Sequence, residues 1–190
     1  MLRYGHESFF SEGKVLPINL LSFWQWSYSD LLSNTLRGHL AEFIVFTALS
    51  LENTFRVEWA SYDLLTQKSL KIEVKSSAYL QSWAQEKDST IRFGISETLG
   101  WDASANTYAP AISRQANLYI FCLYTHKDKI TANPLNLDQW IFYLLPTTIL
   151  NQHLPKQKTV SLSGLLKLKP IECAYSQLKA RIEEFEIKLT

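Results

Sequence analysis

The sequence predicts an α/β fold, a mixed β-sheet flanked by α-helices, and three kinds of stretch predict it. Residues 40–51 are apolar nearly all round, as a helix buried against a sheet is. Residues 118–124 and 140–145 are continuous apolar runs of the kind found in strands covered on both faces. Residues 70–75 alternate strictly between apolar and polar, the period of a half-buried strand. A chain of 190 residues has the length of one domain, taken as residues 1–190.

Taken in order, residues 1–30 have no periodicity. Gly5, Gly13 and Pro17 with the cluster Phe23, Trp24, Trp26 and Tyr28 read as an aromatic arm that packs onto the body. Ser33 or Asn34 suits a helix N-cap, and Leu36, Leu40, Phe43 and Thr47 follow at helical spacing. From position 55 the pattern turns to strands over 55–59, 62–65 and 70–75, with the polar turn 67–69 making a hairpin of the last two. Residues 91–95 add a strand, and 97–113, with Gly100, Pro110 and many small polar residues, read as a loop plus a short helix. The two buried strands come next. Pro170 suits the first turn of a C-terminal helix over 170–188, whose inner face is Ile171, Ala174, Tyr175, Leu178, Ile182 and Phe185.

Composition excludes several classes of function. Nineteen basic against eighteen acidic residues leave a net charge of +1, so no global field draws the chain onto nucleic acid or an anionic membrane; such binding needs a local patch. The longest uncharged stretch, 139–155, is broken by polar residues and falls short of a spanning helix. Glu7 and Glu12 precede the first apolar run, unlike a secretory leader. Cys122 and Cys173 make neither a disulfide framework nor a metal-ligand spacing. The expectation is a reduced, cytoplasmic protein with no membrane partner.

The chemistry concentrates between positions 42 and 75. Glu42 is the only charged residue between positions 40 and 51, costly to bury unless a cation meets it; alternatively it faces solvent or pairs with Arg37. Asp63 is an acid in a short apolar strand, a poor place for Asp unless a turn or a function holds it. In Lys71-Ile72-Glu73-Val74-Lys75-Ser76-Ser77, alternation puts Lys71, Glu73 and Lys75 on one face and Ile72 and Val74 on the other. Each signal alone has a bland explanation. Together they place two carboxylates and an ammonium at one sheet edge beside a third carboxylate, a set that suits Mg²⁺ with room for its water.

Glu42 in a helix, Asp63, and Glu73-Val74-Lys75 in a hairpin strand resemble the PD-(D/E)XK nuclease superfamily, the restriction-endonuclease-like fold. Gly38-His39-Leu40-Ala41-Glu42 is similar to that superfamily's first motif, and Ile72-Glu73-Val74-Lys75-Ser76-Ser77 to its catalytic strand in Holliday-junction resolvases and related enzymes. The resemblance covers about residues 35–125, the α-β-β-β-α-β core; the aromatic arm and the C-terminal third lie outside it. Tyr62 stands where the eponymous Pro would be. Asn117 lacks the charge some relatives carry before the later strand. The resemblance implies a metal-dependent endonuclease that hydrolyses DNA phosphodiester bonds with Mg²⁺ or Mn²⁺. Asp63, Glu73 and the Val74 carbonyl would be metal ligands. Lys75 would position or help deprotonate the attacking water, and Glu42 would hold a second metal or a metal-bound water.

Around that set, Ser76 and Ser77 are hydroxyl donors that a turn explains equally well. Gln81 is near enough along the chain to reach the site, or is an exposed loop residue. Arg92 and Arg114 are the phosphate-clamp candidates, because Arg binds phosphate bidentately. Lys156, Lys158, Lys167 and Lys169 give a local +4, read either as a DNA-facing patch or as a solvated surface. Trp83 and Trp101 are base-stacking candidates whose ordinary role is packing. The four histidines lack ligand spacing. Three classes stay open: a DNA endonuclease, a catalytically inactive DNA- or protein-binding module on the same fold, and an assembly protein using the arm. Cutting both strands calls for two active sites, which a homodimer would supply.

Overall fold

Two hydrophobic layers sandwich a twisted sheet in the computed structural model, which describes residues 2–51, 56–57, 60–102 and 106–187. The chain opens with the strands β1 (Ser8–Ser11) and β2 (Lys14–Asn19), then the helices α1 (Leu20–Tyr28) and α2 (Asn34–Ala48). Ser33 caps α2 by accepting the N–H of Leu36, as its place before the apolar run predicts. The short β3 (Leu64–Leu65) and β4 (Lys71–Ala78) form the expected hairpin. There follow β5 (Arg92–Gly94), β6 (Thr98–Asp102), β7 (Thr107–Ser113) and β8 (Leu118–Tyr124). The chain ends with β9 (Trp140–Pro146), α3 (Thr147–His153), β10 (Thr159–Ser161), α4 (Leu162–Lys167), β11 (Ile171–Cys173) and α5 (Tyr175–Ile187).

The main sheet has the order β11-β9-β8-β4-β3, with β4 and β8 parallel and the other neighbours antiparallel. This is a mixed sheet flanked by helices, consistent with a restriction-endonuclease-like core. Every residue of β8 is buried, as its unbroken apolar composition requires. One layer packs α2 and α5 on Ile72, Val74, Ile120, Cys122 and Phe142. The other packs β5, β10, α3 and α4 on Tyr119, Phe121, Leu123, Tyr143 and Leu145. Ile44 and Val45 of α2 are fully enclosed, each contributing about 1.5–3 kcal/mol through lost water contact. Among the described residues no helix is long and apolar enough to cross a membrane.

Four expectations are corrected. The N-terminal arm is a hairpin and a helix rather than irregular chain, and it does not pack its aromatics away. None of α1 is buried, and Trp26 is 84% exposed. Gly5 does meet an arm aromatic closely: its φ of +102° and the ring of Trp24, 2.9 Å from where a Cβ would sit, both demand glycine. Residues 98–102 and 107–113 pair as the β6–β7 hairpin, not a loop and short helix, so among the described residues the parallel crossover from β4 to β8 contains no helix. The C-terminal helix starts at Tyr175. Residues 171–173 pair instead with β9 at the sheet edge, although Leu178 and Ile182 do form the buried face of α5. The buried stripe of α2 is Arg37, Ala41, Ile44 and Val45, whereas Phe43 is 59% exposed. The expected strand at 55–59 falls mostly outside the described residues.

The rotation of α2 gives the helix a second working face. His39, Glu42, Phe43 and Phe46 recur at helical spacing on the side that does not enter the core, and all four line one cavity.

Candidate active site

The site grows from the place where β3 stops pairing with β4. Asp63 donates its backbone N–H to the carbonyl of Ile72 at 3.0 Å, continuing the ladder one residue before the strand proper. Its carboxylate then accepts the N–H of Val74 at 2.7 Å. The side chain thus occupies the position the next strand residue would take, and Asp63 is locked against β4. In antiparallel geometry the N–H and C=O of Val74 leave on the same side, so its carbonyl also faces the Asp63 end of the cleft.

Glu73 and Lys75 stand on the face of β4 opposite Ile72 and Val74, in register with Tyr119 and Phe121 of β8. The Lys75 Nζ lies 2.5 Å from Glu73 Oε1. Burial, reinforced by the neighbouring charge of Glu73, pushes the Asp63 carboxyl up to about 7 against the opposing pull of Lys75 and the Val74 N–H. Burial pulls the Lys75 ammonium down, but Glu73, Asp63 and Glu42 outweigh it and hold the group above its ordinary value. The buried phenol of Tyr119 is raised by burial and by Glu73. Asp63, Glu73 and Lys75 therefore form one electrostatic unit.

Glu42 approaches the unit from the α2 side of the sheet, near enough for its charge to be felt by Asp63 and Lys75. It pairs with Arg56, whose Nε and Nη2 donate to its two oxygens at 2.6 and 3.3 Å, and not with Arg37. Arg37 is buried beneath the same helix, donating to Leu32, Asn34 and Gln81.

Two cavities meet at Asp63. The larger, about 1140 Å³, has His39, Glu42, Phe43, Arg56 and Lys71 among its lining; the smaller, about 570 Å³, includes Glu73. Both share Asp63, Trp101 and Tyr108, so the β6–β7 hairpin walls the cleft on either side of the acid. Among the described residues no three His, Cys, Asp or Glu side chains are grouped to hold a metal. The donor set is two carboxylates with the Val74 carbonyl. That partial shell could hold Mg²⁺, which keeps several waters, and an acid raised to about 7 by burial and by the adjacent Glu73 is one a cation would relieve.

The remaining candidates divide. Ser76 and Ser77 belong to β4 rather than to a turn. Ser77 is buried and lies on the same strand face as Lys75, while Ser76 alternates to the α2 side. Gln81 is buried, not exposed, and it donates to Ala78 and Ser89 while accepting from Arg37, which makes it a loop anchor. Arg114, the expected phosphate clamp, is spent on the fold: its buried guanidinium donates to Ile95 O, Asn151 Oδ1, Leu154 O and Gln157 O. Arg92 is exposed on β5, opposite Ser161, and lines neither cavity. Lys156, Lys158, Lys167 and Lys169 are exposed and likewise line neither. Trp101 borders the site and Trp83 does not.

Sequence reasoning did not single out Arg56 and Tyr108, which border the cleft, or Tyr119, which faces the charge of Glu73, and it gave His39 no role of its own. His39 was within reach of it, lying one helical turn before Glu42. Arg56 carried no signal, because its partner is fourteen positions away along the chain.

The sequence profile of the bacteriophage T4 endonuclease IV family matches residues 19–164. That span contains Glu42, Asp63, Glu73, Lys75 and the whole β6–β7 hairpin. No curated protein matches the chain.

Proposed function

Because the chain belongs to the bacteriophage T4 endonuclease IV family, we propose that it is a DNA endonuclease whose active site is the Asp63–Glu73–Lys75 unit, working with Mg²⁺ or Mn²⁺ in the manner of PD-(D/E)XK enzymes. The observation that carries the mechanism is the convergence of Asp63 and Glu73 on one cleft, with the Lys75 ammonium held against Glu73 at 2.5 Å.

Asp63 and Glu73, with the Val74 carbonyl, would hold the ion, which when bound supplies a Lewis acid at the phosphoryl oxygen. The protein supplies the rest. Asp63 is held by the Val74 N–H where it lines the cleft, which reduces the side-chain freedom lost on binding. Lys75, held protonated, has three donors and no acceptor. It orients a water for attack on phosphorus and offsets the charge that grows on the phosphate as the new P–O bond forms and the bond to the leaving oxygen breaks. Glu42, with its charge met by Arg56, is assigned the outer carboxylate position, available once Arg56 turns to the substrate phosphate. Cutting both strands with one such unit per chain would take two copies.

A nicking assay tests this reading. Supercoiled plasmid and short oligonucleotides should be cut with Mg²⁺ or Mn²⁺, not in chelator, and not by Lys75→Ala. The pairing of Lys75 with Glu73 and of Arg56 with Glu42 favours one second reading, in which internal cations satisfy the acids and the site binds without cutting. Wild-type protein that binds Mn²⁺ and DNA but leaves every strand intact would select it.

A further inference from the structure

We infer that Trp101 and Tyr108 form a stacking platform for a nucleobase of the DNA substrate next to the cleaved phosphate. This rests on the endonuclease reading above and adds a base-binding subsite to it.

The two residues are direct cross-strand partners in the β6–β7 hairpin, with ring centroids 4.8 Å apart and planes inclined at 61°. An aromatic cross-strand pair stabilises a hairpin, and a two-stranded sheet in water needs such help. That role does not explain where the pair points. Between the pairs Leu99–Ile112 and Trp101–Tyr108, β7 carries two more residues than β6. The irregularity contains Pro110, which has no N–H to give to a ladder. A bulge of this kind bends a hairpin and re-aims the side chains beyond it. Here the re-aimed pair borders both cavities at Asp63, while Tyr108 keeps 65% of its surface exposed.

The bend is pinned from behind. Gln115 Nε2 donates to Thr98 O at 3.2 Å, Ser113 O at 3.2 Å and Ser113 Oγ at 2.8 Å. Its Oε1 lies 2.6 Å from where a Cβ on Gly100 would sit, so residue 100 must be glycine for Gln115 to close the base of the hairpin. The platform is thus held by a side-chain clamp.

The occupant follows from the neighbours. An exposed aromatic face beside two carboxylates is poor for an anion and good for the π-face of a base. Across the larger cavity stand Arg56, Lys71 and His39, placed to meet the phosphates on either side of that base. Phe43, 59% exposed on α2, extends the apolar floor.

The experiment compares wild type, Trp101→Ala and Trp101→Phe on a fluorescent oligonucleotide and on copies carrying one abasic position at each site around the cut. Trp101→Ala should raise KM about tenfold or more with kcat nearly unchanged, and Trp101→Phe should restore it. One abasic position should weaken wild type by a similar factor yet cost Trp101→Ala almost nothing more. Anisotropy on Lys75→Ala protein reads the same contrast without turnover. Thermal melts of the Trp101 variants separate a loosened hairpin from a lost contact. Cutting that is indifferent to both changes overturns the platform and leaves the nuclease reading standing. Binding that depends on Trp101 and on one base, in a chain that cuts nothing, keeps the platform and overturns the nuclease. Additive losses from the variant and the abasic position also overturn the platform.

Discussion

The carboxylate of Asp63 accepts the backbone N–H of Val74 at 2.7 Å, so a side chain completes a β-ladder that the main chain has abandoned. This bond fixes the acid between Glu42 and Glu73. Burial and the neighbouring carboxylates nonetheless disfavour its charge in the folded state, and the Val74 N–H offsets them only in part.

The pH dependence of stability follows from that conflict. The Asp63 carboxyl is raised from 3.8 to about 7 on folding, so between those values the folded chain holds a proton that the unfolded chain has lost. Its contribution is complete below about pH 4 and is lost as pH rises through 7, amounting to roughly 2–4 kcal/mol. In chelator, urea unfolding should show wild type weakening from pH 5 to pH 8. Asp63→Asn, whose amide oxygen can still accept the Val74 N–H, should flatten that slope and be the more stable protein at pH 8. A parallel slope in the two proteins would refute the assignment.

Mutants of the central unit should divide by what they lose. Lys75→Ala should lower kcat by about 10²–10³-fold or more while calorimetric Mn²⁺ binding persists, because an ammonium is no ligand. Asp63→Asn and Glu73→Gln should lose the metal itself. All three should look alike in a nicking assay, and only titration tells them apart.

Two arginines should trade the roles that a reading of composition suggests. Arg114→Ala strips four acceptors of their buried partner and should cost about 3 kcal/mol in denaturant unfolding, with no change in the salt dependence of DNA binding by the folded fraction. Arg56→Ala removes a half-exposed ion pair and should cost less than about 1 kcal/mol, yet reduce the slope of log K against log salt by about one. The reverse pattern would restore Arg114 as the phosphate clamp.

Thiol chemistry provides an independent check on the sheet. Cys122 is fully buried, and burial pushes its thiol well above the ordinary value; burial likewise raises Cys173 to about 11. Both are register partners of Phe142, one strand to either side, so about 10 Å of sheet separates them and no disulfide can join them. Neither should react with a thiol reagent until the protein unfolds, and oxidation should yield no internal crosslink on a nonreducing gel. Fast native labelling of Cys122 would contradict the strand assignment.

The parts of this molecule visible in the sequence are those written in short-range periodicity. The alternation around Glu73 announces a strand with a charged face, and the solid run of β8 announces a strand covered on both sides. What stayed hidden depends on partners far along the chain. Residues 40–51 are apolar nearly all round, so no periodicity could say that Ala41, Ile44 and Val45 would enter the core and Phe43 would not. The β6–β7 hairpin looked like a loop because its bulge breaks the period of two and because Gly100 and Pro110 are ordinary loop residues. Arg114 looked like a substrate ligand because nothing local reveals that it would reach carbonyls at 154 and 157. The exposed aromatics of α1 were misread for the same reason: hydrophobicity says that a residue prefers cover, not that the fold provides it.

The crossover from β4 to β8, with no helix among its described residues, also bears on how the chain finds its structure. Hairpin β3–β4 and hairpin β8–β9 can each zip locally, but the sheet becomes whole only when Ile72 meets Leu118 and the parallel strands align along seven residues. In a typical βαβ unit a crossover helix shortens the connection as it forms. Here residues 79–117 must be gathered while their own hairpin is still a marginal structure, and the loop-closure entropy is met before any contact repays it. The docking of β4 on β8 is therefore the natural rate-limiting event in folding. The two half-sheets that await it carry long unpaired apolar edges, so the protein is most prone to aggregate in the interval before they join.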